Sequence, residues 1–168
     1  FYPEYTRHLA SHGYVVAAPD FPLTRIGTPG GTRFLDTVNQ AGDVSYVIDR
    51  MLGFNETSGH PLQGAIDGEK IGLTGHSGGG FTTLLTVYGV YGARRDERID
   101  AAVSISGSGC FYSAAEVEDV SVPMMFLTGS EDLIVPRRGN RAAYDRAQPP
   151  RYWVEVRGAN HVRFSFAD

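Results

Sequence analysis

Read for hydrophobic periodicity alone, the chain alternates between two patterns. Short apolar runs of four to seven residues recur at Tyr14–Ala18, Ile71–Thr74, Ala101–Ile105, Val122–Thr128 and Arg151–Val156. Such runs, bounded by turn residues, predict strands buried on both faces, as in a parallel sheet. Pro123 places the fourth run near a strand start, where a missing N–H is tolerated. Between the runs the period changes to that of a helix. Pro3 to His12 predicts a helix with Tyr5, Leu9 and Ala10 on one face, Pro3 in its first turn and Gly13 as its cap. Val44, Val47, Ile48, Met51 and Leu52 mark an amphipathic helix from about Asn39 to Leu52. Phe81, Leu84, Leu85, Tyr88 and Tyr91 mark another, one face of which can pack on a sheet, and Pro136 to Ala147 a weaker one. Leu23–Thr37, Gly53–Gly68, Ser106–Tyr112 and Gly158–Phe164 lack periodicity and predict loops, and Arg94–Asp100 a charged surface connection. Strands alternating with helices predict an α/β fold with a mostly parallel, doubly wound sheet.

The sharpest local feature lies where the run Ile71–Thr74 meets the helix that follows it. Gly75-His76-Ser77-Gly78-Gly79 fits G-x-S-x-G, a strand–turn–helix elbow that pushes one hydroxyl out at the end of a strand. The turn crowds the positions two before and two after its apex, and Gly75 and Gly79 have no Cβ to clash there. An ordinary serine in a glycine-rich turn would leave the same local pattern, so the rest of the chain has to supply a partner.

A serine hydroxyl is a poor nucleophile without a base to take its proton. In a parallel sheet that base belongs in a loop at the carboxyl end of a strand. His8 and His12 fall on the first helix, where solvent exposure is the simple reading; His60 falls in a loop, and His76 inside the elbow but turned elsewhere. His161 follows the last apolar run, and position favours it. The base in turn needs a carboxylate to fix its tautomer. Asp132 follows the run Met124–Thr128, with Glu131 as first rival and Glu116, Glu118 and Asp119 as weaker ones. Ser77, Asp132 and His161 thus occupy three different strand-end loops in the order Ser, Asp, His.

These motifs resemble the α/β-hydrolase superfamily. Within it, Gly-His-Ser-Gly-Gly-Gly, the lead-in Ile-Asp-Gly-Glu-Lys-Ile-Gly-Leu and Leu-Thr-Gly-Ser-Glu-Asp-Leu-Ile-Val-Pro are similar to the group of dienelactone-hydrolase-like proteins, platelet-activating-factor acetylhydrolases and cutinase-type polyester hydrolases. The resemblance implies a single catalytic domain and a serine ester hydrolase, since Ser77 stands where true dienelactone hydrolases carry cysteine. It also implies an oxyanion hole built from the Gly78 N–H and a second N–H upstream of Phe1. The chain opens on Phe1 and stops at Asp168 without an obvious termination, so it is expected to be an internal piece of a longer protein, without the sheet's early strands and the helix after the histidine. Two related readings stay open at this level: a prolyl-oligopeptidase-type peptidase, and a non-catalytic relative acting as a binding module.

Composition changes this picture only by exclusion. A net charge of −4 argues against a nucleic-acid surface. One cysteine, Cys110, rules out an internal disulfide and a cysteine-rich metal cluster and leaves the compartment open, extracellular or cytoplasmic. No run approaches the ~18 apolar residues of a membrane span. No dinucleotide fingerprint, phosphate loop or metal-ligand spacing occurs, so neither metal nor cofactor is implied. The expected partner is a small-molecule ester. Its acyl chain should meet the apolar loop residues nearest the serine, with Cys110, Phe111 and Ile134 as candidates; with no room for a long lid insertion, the site should be open and suited to short or medium acyl chains.

Overall fold

Four of the five apolar runs pair with one another. In a computed structural model that describes residues 3–108 and 112–164, β1 (Ile71–His76), β2 (Ile99–Ile105), β3 (Met124–Gly129) and β4 (Arg151–Val156) form one sheet in the order β1-β2-β3-β4. Every pairing is parallel, with Leu73 opposite Ala102, Ser104 opposite Phe126, and Phe126 opposite Trp153. Parallel neighbours need long crossovers. The segments between the strands supply them, and all four strands therefore deliver their carboxyl ends to one edge of the sheet. This is the α/β class expected from the alternation of patterns.

The helices agree with the periodicity in place, less so in length. α1 (Pro3–Ser11) is exposed along nearly its whole length and ends at Gly13, whose φ of +89° lets the Gly13 and Tyr14 N–H groups reach back to the carbonyls of Ala10 and Leu9. α2 (Gln40–Glu56) runs one turn beyond Leu52 and is preceded by a 3-10 turn, Phe34–Asn39, in what reads as plain loop. Its last turn is held by Asn55, whose amide donates to the Ile66 carbonyl and accepts from the Ile66 N–H, tying the following loop to the helix. α4 (Arg137–Arg146) packs on β3 and β4.

α3 (Gly78–Tyr88) is the buried centre. It lies against β1 and β2 and also against α2, so every residue from Thr82 to Tyr88 is buried, not one face alone. Three of those residues are threonines. The Thr83 and Thr86 hydroxyls donate one turn back to the carbonyls of Gly79 and Thr82 (2.9 Å each), and the Thr82 hydroxyl lies between the Gly78 carbonyl (3.0 Å) and the Gln40 side-chain oxygen, so burial strands no donor. Gly89, at φ +69°, ends the helix. Tyr91 lies beyond it in a short 3-10 turn, although its ring still reaches Phe81, 5.8 Å between centroids. Leu84, Leu85 and Val87 of α3 join Ile99, Met124 and Phe126 of the sheet in the core. Tyr112, Val117 and Val120, from the crossover between β2 and β3, complete it.

One expected strand is absent. Tyr14–Ala18 has no regular secondary structure and joins no ladder, and Tyr14 is 64% exposed. A strand exists only with a hydrogen-bonded neighbour, and β1 pairs with β2 alone among the described residues. Apolar composition marks what a segment can bury; it cannot supply the partner.

The tightest contact between helix and sheet is at Gly80. A Cβ there would lie 2.8 Å from the Ile105 carbonyl oxygen and 2.9 Å from the Gly107 Cα, both backbone atoms that cannot swing aside. Alanine normally favours a helix interior over glycine by up to about 1 kcal/mol. Overpacking costs about 1–3 kcal/mol. The second effect should win: Gly80→Ala is expected to lower the urea midpoint, by an amount equivalent to about 1–2 kcal/mol. An unchanged or higher midpoint would show that the contact is not tight.

Candidate active site

The elbow after β1 is strained as its sequence requires. Ser77 has φ +56° and ψ −119°, a conformation rare for a residue with a side chain. It is held there from both sides: the Ser77 N–H donates to the Ile105 carbonyl at the end of β2 (2.9 Å), and the Ser77 carbonyl accepts from Phe81 N–H (3.0 Å). Of the two flanking glycines, one is required. A Cβ on Gly75 would overlap the Gly79 backbone, whereas a Cβ on Gly79 would meet nothing. The crowding expected at both positions is therefore confined to Gly75, with Gly80 as the second obligate small residue. Gly78 opens α3, so its N–H has no intrahelical acceptor and sits at the positive end of the helix.

The structure brings the three side chains singled out in the sequence into one hydrogen-bonded line. Asp132, in the loop after β3, and His161, in the 3-10 turn after β4, are both buried. His161 Nδ1 lies 2.8 Å from Asp132 Oδ2, and His161 Nε2 lies 2.9 Å from Ser77 Oγ. Burial alone would push the Asp132 carboxyl up. The His161 hydrogen bond, backed by the Val135 N–H, outweighs it and holds the group below the ordinary range. Asp132 is thus an acceptor only; His161 must present N–H at Nδ1, which leaves Nε2 to accept from the Ser77 hydroxyl. The other Asp132 oxygen accepts from the backbone N–H groups of Ile134 (3.0 Å) and Val135 (2.8 Å), so the carboxylate has little freedom to rotate.

Acid and base loops are also fastened to each other. Glu131 N–H donates to the Ala159 carbonyl (3.0 Å), Ser130 N–H to the Val156 carbonyl (3.0 Å), and Gly158 N–H to the Ser130 hydroxyl (2.8 Å). A Cβ on Gly129 would overlap the Ala159 carbonyl, so this contact too depends on glycine. The rival acids lie elsewhere: Glu131, Glu118 and Asp119 are exposed, and Glu116 accepts from the Ser113 N–H and hydroxyl. Among the histidines, His8 and His12 are exposed at α1 and its end, and His60 stacks on Phe54 with 4.3 Å between centroids.

A cleft of about 240 Å³ opens beside Ser77. Phe21, Thr24, Phe34, Thr37 and Gln40 line it from the upstream segment, and Ser77, Gly78 and Gly79 from the elbow. Sequence reasoning passes over this wall, because the segment has no periodicity. Its one local signal is a pair of phenylalanines in a stretch otherwise built for turns. Of the expected acyl contacts, Cys110 and Phe111 lie outside the described residues. Ile134 is 67% exposed and is not among the residues lining this cleft. Among the described residues no group of three or more histidine, cysteine or acidic side chains is arranged to hold a metal, and no helix is long and apolar enough to cross a membrane.

His76, next to Ser77 in the chain, packs its ring on His161, 4.6 Å between centroids. Burial, followed by the neighbouring His161, pushes His76 down from 6.5 to about 4. Between those values the unfolded chain binds a proton that the folded chain refuses, so stability should fall as pH drops through this window. Imidazole NMR should show His76 neutral until the pH nears 4. A His76 resonance titrating at an ordinary histidine value would overturn this.

Comparison with known proteins supplies a family. No curated protein matches the chain. Among solved structures it is similar to a crystal structure of Arabidopsis thaliana SOBER1 in which one phenylalanine is replaced by leucine, at 16% identity and a TM-score of 0.56. That match covers 89% of this chain and 65% of the other, so the chain spans a little under two thirds of that structure, and at such identity it shows a shared fold. A family model described as "PETase: PET hydrolase-like" matches residues 4–168. The chain belongs to the PET hydrolase-like family of the α/β-hydrolase superfamily.

Proposed function

We propose that this protein is a serine hydrolase that cleaves carboxylic esters with short or medium acyl chains through an acyl-enzyme. The observation that carries the reading is the continuous line from Asp132 through both ring nitrogens of His161 to the Ser77 hydroxyl, at 2.8 and 2.9 Å. The family description adds that esters are the bonds to consider. The cleft of about 240 Å³ at Ser77 is compatible with a modest acyl or alcohol group.

In this reading Ser77 Oγ attacks the ester carbonyl carbon as its proton passes to His161 Nε2. The resulting imidazolium is stabilised by the Asp132 carboxylate on Nδ1. Charge that develops on the former carbonyl oxygen is met by the Gly78 N–H at the start of α3. The imidazolium then protonates the departing alkoxide, which leaves as the alcohol, and Ser77 holds the acyl group. Water, deprotonated by Nε2, attacks the acyl-enzyme and releases the acid, returning the proton to Ser77.

An organophosphonate supplies an electrophilic phosphorus in place of the carbonyl, and the activated serine should be phosphonylated. Mass spectrometry of the full-length protein should place the label on Ser77 and find none in Ser77→Ala or His161→Ala. A folded protein that takes no label and hydrolyses no aryl ester would favour a binding role instead. Asp132→Asn should keep the fold, leave His161 in the wrong tautomer and lower kcat by roughly 10⁴. A nearly silent Asp132→Asn beside an inactivating Glu131 substitution would move the acid to the neighbouring position.

A further inference from the structure

Two histidines meet at the end of α1, where the proposed chemistry has no use for them. His8 lies in the last turn of the helix, and His12 follows it at the i, i+4 spacing that puts two side chains on one face. Their rings are in contact, with centroids 4.4 Å apart and planes tilted by 47°. Both residues are exposed, so an ion reaches them directly from solvent.

The hydrogen bonds around the pair fix its chemistry. His12 Nδ1 lies 2.8 Å from the His8 carbonyl oxygen. A carbonyl only accepts, so Nδ1 carries the proton and Nε2 keeps its lone pair. Ser11 supports the same arrangement. Its hydroxyl donates to the His8 carbonyl (2.7 Å), and its oxygen is left to accept from His12 Nδ1 at 3.2 Å. An imidazole whose one N–H is spent on a backbone carbonyl is in the form that binds metal, because that bond sets the tautomer and orients the ring. Two imidazoles held about 2.1 Å from one ion, at right-angled to tetrahedral geometry, have centroids roughly 4.5–5 Å apart. The observed 4.4 Å is within a small ring movement of that range. The carbonyls at a helix C-terminus carry partial negative charge, which favours a cation in the same place.

We infer that His8 and His12 form a two-point chelate for a divalent ion of zinc, nickel or copper at the C-terminal end of α1. Imidazole suits these ions, whereas magnesium and calcium take oxygen ligands. Among the described residues no third histidine, cysteine or carboxylate completes the set, so water fills the remaining positions and the ion exchanges with solvent. The consequence for the fold is local. α1 buries none of its residues, and an ion shared by His8 and His12 ties its last turn to the Gly13 turn that follows. An ion bound to that conformation alone stabilises it by mass action.

The test is a calorimetric titration of the untagged full-length protein with Ni²⁺, Zn²⁺ and Cu²⁺. Each should bind the pair in the wild type, copper most tightly. His8→Ala and His12→Ala should each weaken binding by at least about tenfold, since losing either ligand forfeits the effective concentration at which the second one acts. His8→Ala is the cleaner variant, because the backbone carbonyl that holds His12 stays in place. The paramagnetic resonance of bound Cu²⁺ should show coupling to two imidazole nitrogens in the wild type and to one in either variant. Circular dichroism of the variants should match the wild type, so that binding is compared between folded chains. Binding that both variants leave intact puts the ion elsewhere and overturns the assignment. Binding that only one of them weakens describes a single adventitious histidine and overturns it too, as does the absence of binding at millimolar ion.

Discussion

At the carboxyl edge of the sheet, turns from different strands approach until backbone touches backbone, and the whole site depends on that approach. Gly75 lies against Gly79 within the elbow, Gly80 against Ile105 and Gly107 at the end of β2, and Gly129 against Ala159 between the acid and base loops. In each case a methyl group would stand in the space that the opposing backbone occupies. The consequence is geometric: the parallel sheet brings the loops after β1, β3 and β4 to one edge, and the missing Cβ atoms let them close the last few ångströms. Without that closure the Ser77–His161 and Asp132–His161 distances could not both fall within hydrogen-bond range.

The same closeness sets the electrostatics. Asp132 is buried, which by itself favours the neutral acid, yet donors from His161, Ile134 and Val135 surround it and keep it charged. A buried carboxylate so held directs the histidine proton, and the histidine directs the serine proton. His76 takes the opposite course: packed against His161, it gives up its proton to burial and to its neighbour. A single negative group beside a neutral second ring leaves room for positive charge to form on His161 and not elsewhere.

How much of this the sequence discloses depends on the range over which each feature is encoded. β4 is legible to the residue, and the elbow nearly so, because strand, turn and helix patterns are local. Asp132 and His161 are legible as positions, since a polar residue after an apolar run in a parallel sheet falls at the functional edge. The fate of Tyr14–Ala18 is not legible: its apolarity is local, while a ladder needs a neighbour that only the tertiary structure can supply. α2 extends past Gly53 for a related reason, since Asn55 gains two hydrogen bonds from the Ile66 backbone that offset a poor helix former. The need for glycine at Gly129 comes from the carbonyl of Ala159, in a different strand-end loop, and leaves no trace nearby.

The cleft wall is the least legible part and shows where pattern reading runs out. Phe21 and Phe34 come from a stretch with neither helical nor strand period, and what orders it is a set of hydroxyls. Thr28 donates to the carbonyls of Pro22 and Arg25, Thr32 to Arg25, and Thr24 to Phe21, so the loop satisfies its own backbone without a ladder. A segment held this way carries little information in its hydrophobicity and much in the spacing of its threonines. Its anchor to the rest of the fold is the carboxamide of Gln40, fixed between Thr24 and the buried Thr82. Position along α3 therefore fixes both Ser77, at the start of the helix, and the wall that faces it, through a threonine one turn further on. Nucleophile and cleft wall are thus both positioned against one helix.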